Sequence, residues 1–179
     1  MKLLSQLFFW LTGWKTVGKV PAFKCVVIVA PHTSGWDMLY GMAAKFIFEL
    51  DFSFFAKQEI FKPPFGFIFK AMGGVPVNRS AKHNLVEQAV QTFNERDHFI
   101  LALSPEGTRE YVFKWKTGFY YIALGAKVPI VLAFLDYEKK EAGFGPTFYP
   151  TGDIEKDMEE MKKFYRPIKG YHPEKGVRE

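Results

Sequence analysis

Short apolar runs of strand length, separated by turns and by a helical pattern, constrain the fold of this chain more than any other feature. The runs are rich in β-branched and aromatic residues, as strands are. Between the third and fourth runs, residues 81–97 repeat apolar side chains at helical spacing. Strands that alternate with helices indicate an α/β fold with a mainly parallel central sheet flanked by helices. The predicted strands are 24–30, 52–57, 74–78, 98–104 and 128–137.

The remaining segments complete a single-domain organisation. A chain of 179 residues is long enough to bury one sizeable core. We expect a hairpin within the turn-rich residues 140–152 and a charged, solvent-facing helix over 153–165. The predicted divisions are an N-terminal segment at 1–20, the main domain at 21–170 and a loose tail at 171–179.

The N-terminal segment has the pattern of an amphipathic helix. Leu4, Leu7, Phe8, Leu11 and Trp14 recur at helical spacing. Such a helix either lies in the headgroup region of a membrane or packs on the domain itself, and the pattern fits both. No small-residue cleavage site follows it, so it does not resemble a secretory signal peptide.

The charge distribution favours a lipid surface as partner. The net charge is +5, and the four cations that precede the first acidic residue have Leu, Phe and Trp as neighbours rather than an RNA-binding context. No apolar stretch approaches the roughly 18 residues of a membrane span. We therefore expect peripheral association with the cytoplasmic face of a membrane and no nucleic-acid partner. The four cations are Lys2, Lys15, Lys19 and Lys24.

Aromatic residues and the single cysteine add two expectations. Phenylalanine occurs 20 times, so some rings beyond the core are expected to face lipid or an acyl chain. The Phe-rich residues 61–70 fit an acyl channel, a membrane contact or core packing. Cys25 lies within an apolar run, which excludes an intramolecular disulfide and predicts a buried thiol.

Three polar clusters follow predicted strands. "PHTSGWD" at 31–37 follows the first, "NRS" at 78–80 the third, and "SPEGTRE" at 104–110 the fourth. Ligands of open α/β sheets bind at the carboxyl ends of the strands. We therefore expect the three clusters to converge at one edge of the sheet.

His32 and Asp37 have two interpretations. In one continuous helix, side chains five positions apart would be rotated by about 140° and could not meet. A break at Ser34 and Gly35 would leave His32 on a loop and Asp37 in the first helical turn. Asp37 would then orient the imidazole for proton abstraction. Alternatively, Ser34 and Asp37 form only a capping box.

Arginines in the other two clusters are candidates for binding an anion. The proline and glycine of "SPEGTR" force a tight turn that presents Glu106, Thr108 and Arg109 together. Each of the guanidinium groups of Arg79 and Arg109 can donate two parallel hydrogen bonds to a phosphate or a carboxylate. A base, a carboxylate and two arginines together indicate catalysis on an anionic substrate more strongly than any one residue alone.

In these motifs the chain resembles the glycerophospholipid acyltransferases, the family of 1-acylglycerol-3-phosphate acyltransferase. The matching strings are His-x-x-x-x-Asp at 32–37, "GGVPVNR" at 73–79, Pro-Glu-Gly-Thr-Arg at 105–109 and Val-Pro-Ile at 128–130. Their order and spacing cover most of the domain. The first and third strings are specific, whereas the second and fourth are weak alone.

The resemblance implies the fold of that family and acyl transfer from an acyl thioester, acyl-CoA or acyl carrier protein, to a hydroxyl of a lysophospholipid or glycerol phosphate. It implies His32 as the base and Asp37 as its orienting partner, with no metal and no cofactor. The implied acceptor-binding residues are Arg79, Glu106, Gly107, Thr108 and Arg109, and Lys116 in "WKTGFYY" resembles the basic position after the third motif.

Departures from the family pattern leave the acceptor headgroup open. Pro31, Ser104 and Asn78 replace residues that are common at those positions in the family. Two other functions also fit the sequence. One is a transacylase that moves chains between phospholipids, and the other is a non-catalytic peripheral protein that binds lipid.

Overall fold

The centre of the protein is a seven-stranded sheet, seen in a computed structural model that describes residues 1–19, 22–77 and 82–178. The helices are α1 (Lys2–Thr12), α2 (Trp36–Phe48), α3 (Gly66–Ala71), α4 (Lys82–Glu95), α5 (Gly118–Ala126) and α6 (Ile154–Tyr165). The strands are β1 (Lys15–Val17), β2 (Lys24–Val29), β3 (Phe52–Lys57), β4 (Gly74–Val77), β5 (Phe99–Leu103), β6 (Ile130–Asp136) and β7 (Glu141–Phe148). Short 3-10 helices lie at Gln58–Phe61 and Pro173–Lys175.

The strand order is β1-β7-β6-β2-β5-β3-β4, with β2 near the middle. All neighbours pair in parallel except β6 and β7, which are antiparallel. The five predicted strands correspond to β2 through β6, and the predicted helices at 81–97 and 153–165 correspond to α4 and α6. The α/β fold with a mainly parallel sheet is therefore confirmed. Since β2 lies between β5 and β6, the residues that follow those three strands are close neighbours.

Alternating side chains of the central strands bury both faces of the sheet. On one face, Val26 and Ile28 pack in a core shared with α4, α5 and α6. On the other, Cys25 and Val27 face the side covered by α2, and the Cys25 thiol is buried as predicted. Burial raises the pKa of that thiol to about 12, so it is neutral at physiological pH.

The region after β6 differs from the prediction. Residues 140–152 do not form a hairpin by themselves. Instead, Glu141–Phe148 is one strand that folds back on β6, and the turn lies at residues 137–140. On its other side β7 pairs with β1, which the sequence analysis did not predict. Gly143 permits that pairing, because a Cβ there would collide with the backbone of Val17.

Helix α1 packs on the domain through a face that includes only part of the predicted apolar stripe, namely Phe8 and, just after the helix, Trp14. Ser5 and Phe9 are buried, and Phe9 and Trp14 join a small core with residues of α2, β6 and β7. The opposite face is apolar and exposed. Its exposed side chains are Leu3, Leu4, Leu7, Trp10 and Leu11. Packing on the domain is thus observed, and it leaves most of the predicted stripe open to the surroundings.

The C-terminal residues are packed rather than loose. The amide of His172 donates to Oγ1 of Thr33 (3.1 Å), and the Tyr171 ring lies edge-on to that of Tyr137. Lys175 forms an ion pair with Glu110 at 2.8 Å. Residues 171–178 therefore contact three connecting segments at the carboxyl edge of the sheet, those that follow β2, β5 and β6.

Helix α6 also has a buried face, formed by Asp157, Met161 and Tyr165, so the predicted solvated face accounts for only part of it. Throughout the described ranges, the longest helices fall short of the length and apolarity that crossing a bilayer demands.

Candidate active site

The loop between β2 and α2 presents His32 at the carboxyl edge of the sheet. β2 ends at Val29 and α2 begins at Trp36, so the break expected near Ser34 and Gly35 is present. Nδ1 of His32 lies 2.9 Å from Oδ2 of Asp37. The His32 side chain is 31% exposed, whereas that of Asp37 is 4% exposed. The imidazole can therefore meet a substrate while its carboxylate partner is shielded from water.

Asp37 is held by several donors besides His32. Its Oδ2 accepts the amide N–H groups of Thr33 at 2.8 Å and Ser34 at 3.0 Å, and its Oδ1 accepts the hydroxyl of Tyr137 at 2.8 Å. Burial by itself raises the pKa of Asp37. The hydrogen bonds from His32, Ser34 and Tyr137 outweigh it and hold the pKa below the ordinary value. Asp37 is therefore ionised at neutral pH and can orient an imidazole.

The same loop contains hydrogen bonds like those of a capping box, although the residue that caps the helix is Gly35 rather than Ser34. Oγ of Ser34 accepts the amide N–H of Trp36 at 3.2 Å, while Asp37 reaches back to the Ser34 amide. The helix starts one residue beyond Gly35, and Asp37 lies in its first turn. The two interpretations of the sequence are thus compatible, because the helix start turns Asp37 towards His32.

The Glu106 side chain is hydrogen-bonded to the backbone of His32. That side chain is buried, and Oε2 accepts the His32 amide N–H at 2.7 Å. Burial raises the pKa of Glu106 to about 7, although the hydrogen bond from His32 opposes the shift. The family motif predicts that Glu106 binds the acceptor. In the structure, one of its carboxyl oxygens accepts a hydrogen bond from the loop that carries His32, and binding of the acceptor stays a prediction.

Basic side chains border the loop on the solvent side. A Cβ at Gly35 would lie 3.3 Å from Nη1 of Arg109, so this guanidinium reaches the turn between His32 and Asp37. Lys116 crosses over Gly107, where a Cβ would collide with its Nζ. Gly107 also has φ of +65°, a left-handed conformation that favours glycine. Arg109, Lys116 and Thr108 are exposed, whereas Arg79 lies outside the described residues.

A buried tyrosine anchors the strand ends below His32. Oη of Tyr165 donates to the carbonyl of Ile28 at 2.9 Å or that of Ala133 at 3.1 Å, which joins β2 to β6. Burial and the nearby Glu106 carboxyl raise the pKa of Tyr165 well above its ordinary value, so the phenol remains a donor. The strand ends that carry the loop are therefore fixed.

Tyr137 is the residue that the sequence analysis missed. It follows β6 directly, and β6 is the neighbour of β2 on the side away from β5. The rule used for the other clusters, that polar residues after parallel strands converge, would have found it if applied to the end of the fifth predicted strand.

An apolar cavity of about 80 Å³ lies between α2 and the sheet. It extends along the α2 face marked by Gly41, Ala44 and Phe48, and Val29 at the end of β2 also lines it. The lining residues include one charged residue, Lys45, whose amine donates to the carbonyl of Met72 at 3.0 Å. The cavity is therefore lined largely by hydrocarbon, and one of its lining residues, Val29, ends the strand that leads to His32.

The described residues contain no cluster of side chains typical of a metal site. In residues 1–19, 22–77 and 82–178, no three or more His, Cys, Asp or Glu side chains form a group suited to hold a metal ion.

Comparison with protein families identifies the chain as an acyltransferase. The family model described as Acyltransferase matches residues 16–133, about two-thirds of the chain, and the chain belongs to that family. Among solved structures it is similar to the 1-acyl-sn-glycerophosphate (LPA) acyltransferase PlsC from Thermotoga maritima. The TM-score is 0.62 at 19% identity, covering 91% of this chain and 74% of that chain. No curated protein matches the sequence significantly.

Proposed function

We propose that the protein transfers a fatty acyl group from an acyl thioester to a hydroxyl of a lysophospholipid or glycerol phosphate, with His32 as general base. The observation that carries this proposal is the His32–Asp37 pair, joined at 2.9 Å with basic side chains beside it. The similar structure is named as an enzyme acting on 1-acyl-sn-glycerophosphate, which makes that lipid the first acceptor to test.

The proposed reaction has one chemical centre. Nδ1–H of His32 donates to Asp37, so Nε2 is free to take the proton of the acceptor hydroxyl. The hydroxyl oxygen then attacks the thioester carbonyl carbon and forms the new C–O bond. As the tetrahedral species collapses, the C–S bond breaks and the imidazolium returns its proton to the leaving thiolate. This direct route needs neither a covalent enzyme intermediate nor a metal or cofactor.

The exposed cations are proposed to hold the phosphate of the acceptor. Arg109 adjoins the turn of the histidine loop and Lys116 lies over Gly107, so both lie on the side from which an anionic acceptor would approach. Thr108 is exposed in the same loop and adds a hydroxyl donor. Arg79 remains a proposed phosphate ligand from the family motif. Glu106 is proposed to contribute through the His32 backbone, and its binding of the acceptor stays a prediction from the family motif.

The acyl chain is proposed to enter the cavity beneath α2. Its lining is mostly hydrocarbon and includes Val29, the last residue of the strand before the His32 loop. Burying each methylene group there is favourable by about 0.8 kcal/mol. Gly41 lines the cavity, and a Cβ at this position would meet no atom within 4 Å. The side chain at position 41 is therefore a point at which the depth of the cavity can be changed.

The exposed apolar face of α1 is proposed to bind a membrane surface. Leu3 is 81% exposed, Trp10 75% and Leu11 68%, which is unusual for residues of this size. Lys2 and Lys15 flank the helix, and each is paired with a carboxylate, Glu49 at 2.7 Å and Glu141 at 3.0 Å. Further exposed apolar side chains lie at the start of α2 and around α3. Those further side chains are Trp36, Met38, Leu39, Phe65, Phe67 and Ile68.

Mass spectrometry of the lipid products tests the proposal and identifies the donor. Purified protein is incubated with 1-acylglycerol-3-phosphate, glycerol phosphate or a panel of lysophospholipids, and with acyl-CoA, acyl carrier protein thioester or intact phospholipid as the sole donor. We expect a diacyl product from a phosphate-bearing lysolipid and a thioester. Product from intact phospholipid alone would identify a transacylase. Lipid binding without product from any donor would refute the transferase proposal and support a lipid-binding protein.

A further inference from the structure

Oδ1 of Asp37 has a donor that comes from a distant part of the chain. The Tyr137 hydroxyl donates to it at 2.8 Å, while Oδ2 receives the His32 ring and two backbone amides. Donors on Oδ2 belong to the histidine loop itself, whereas Tyr137 belongs to the end of β6. The carboxylate is therefore held from both sides, and its plane relative to the imidazole depends on Tyr137.

The Tyr137 ring is itself held in place by three aromatic side chains. Its ring lies edge-on to those of Trp14 at 4.9 Å, Tyr171 at 5.3 Å and Tyr40 at 5.6 Å between centroids. The Tyr137 amide also donates to the carbonyl of Lys169 at 2.8 Å. Because both backbone and ring are fixed, the hydroxyl has a defined direction towards Asp37.

Burial and the adjacent carboxylate both raise the pKa of Tyr137. The phenol therefore keeps its proton at any pH at which the enzyme would work, and it acts only as a hydrogen-bond donor. It stabilises the ionised form of Asp37, for which it contributes one of the hydrogen bonds that lower the carboxyl pKa.

We propose that Tyr137 is a positioning residue that orients Asp37, and through it His32, for proton abstraction from the acceptor. The inference rests on the proposed function of His32. Tyr137 touches Asp37 and not the imidazole, so it contributes no proton to the reaction. Without the Tyr137 hydroxyl, Oδ2 of Asp37 keeps the Thr33 and Ser34 amides but Oδ1 loses its donor. The carboxylate plane can then turn about Oδ2, which weakens the Nδ1–H···Oδ2 alignment.

Tyr40 provides a matched control. It lies in the same aromatic cluster, stacked on Trp14 at 4.2 Å, but its hydroxyl has no hydrogen-bond partner within the described part of the chain. Tyr137→Phe and Tyr40→Phe therefore remove the same atom from neighbouring rings. We expect Tyr137→Phe to lower kcat about tenfold, the effect of misaligning one hydrogen bond to a charged group. KM for both substrates should stay within twofold, and Tyr40→Phe should change neither constant.

A proton NMR measurement tests the inference without relying on turnover. The Nδ1 proton of a histidine bound to a carboxylate resonates downfield of the amide region, and His32→Gln identifies the signal by removing it. We expect Tyr137→Phe to shift or broaden this signal and Tyr40→Phe to leave it unchanged. If Tyr137→Phe does not fold, fluorotyrosine at position 137 strengthens the donor without changing the ring packing, and the signal should again move.

Two results would overturn the inference: an unchanged Nδ1 signal in the folded position-137 variants, or a kcat for Tyr137→Phe within twofold of wild type. A wild-type protein without transferase activity would refute the proposed function instead. The NMR comparison would still decide whether Tyr137 orients the pair, so the two failures can be told apart.

Discussion

Replacing Glu106 with Gln should change how stability depends on pH. The Glu106 carboxyl is buried, and its pKa is raised from 4.5 to about 7, so the folded protein holds a proton there that the unfolded chain releases. A raised folded-state pKa contributes stability below pH 4.5 that is lost as the pH rises through 7. Gln cannot titrate, and its carbonyl oxygen can still accept the His32 amide N–H.

The expected size follows from the shift. A difference of about 2.5 units between the folded and unfolded pKa corresponds to about 3 kcal/mol in the free energy of unfolding. The Gln variant should therefore gain about that much relative to wild type between pH 4.5 and pH 8. For a chain of this size the gain corresponds to a rise in Tm of roughly 6 to 12 °C.

Urea unfolding of wild type and variant at several pH values measures the difference directly, because other titrating groups are common to both proteins. Glu110→Gln is the control. Glu110 is exposed and paired with Lys175, which lowers its pKa. Any effect of that substitution should therefore be a loss of stability at neutral pH that disappears as the pH falls below the ordinary pKa of a glutamate, the opposite sign and a different pH range from Glu106→Gln. Parallel curves for wild type and Glu106→Gln would refute the burial argument for Glu106.

Three further predictions concern the acyl chain, the membrane and the acceptor. The variants Gly41→Ala, Gly41→Val and Gly41→Leu should progressively shorten the preferred acyl chain, as measured by competition among thioesters of different length. An unchanged preference would exclude this cavity as the acyl-chain site. The double variant Leu7→Glu, Leu11→Glu should no longer float with anionic vesicles. The control Leu124→Glu, on α5 across the sheet, should still float. Equal flotation of all variants would exclude α1 as the membrane-contacting surface. Arg109→Ala should raise KM for a phosphate-bearing acceptor about 10- to 100-fold, the loss of one charge-assisted contact of about 1.5 to 3 kcal/mol, and should leave KM for the donor unchanged.

Local sequence patterns were sufficient for the central strands. The β-branched runs predicted β2, β5 and β6 to within a few residues because those strands are buried on both faces of the sheet. They did not predict β1, three partly exposed residues whose strand form depends on pairing with β7 far along the chain. β7 itself contains glycine and proline, which resemble turn residues until the neighbouring strands are known.

The site was predictable where its residues are close in the chain. His32 and Asp37 are joined by a local helix start, and the structure has them in contact as the spacing suggested. Glu106 was expected at the same edge, because polar residues that follow neighbouring parallel strands converge. Tyr137 was not expected, because its contact with Asp37 depends on β6 lying beside β2. The face on which α1 packs was also hidden, because most of the helix surface is apolar and Ser5 lies on its buried side.

The most direct test of the account is the acyl-transfer rate of His32→Ala, measured with a thioester donor and 1-acylglycerol-3-phosphate. His98→Ala is the control, because this exposed histidine precedes β5 at the opposite end of the sheet. With circular dichroism unchanged, we expect His32→Ala to lose about 10²- to 10⁴-fold in kcat and His98→Ala to remain as active as wild type. A folded His32→Ala variant with a rate within twofold of wild type would contradict the assignment of His32 as the general base.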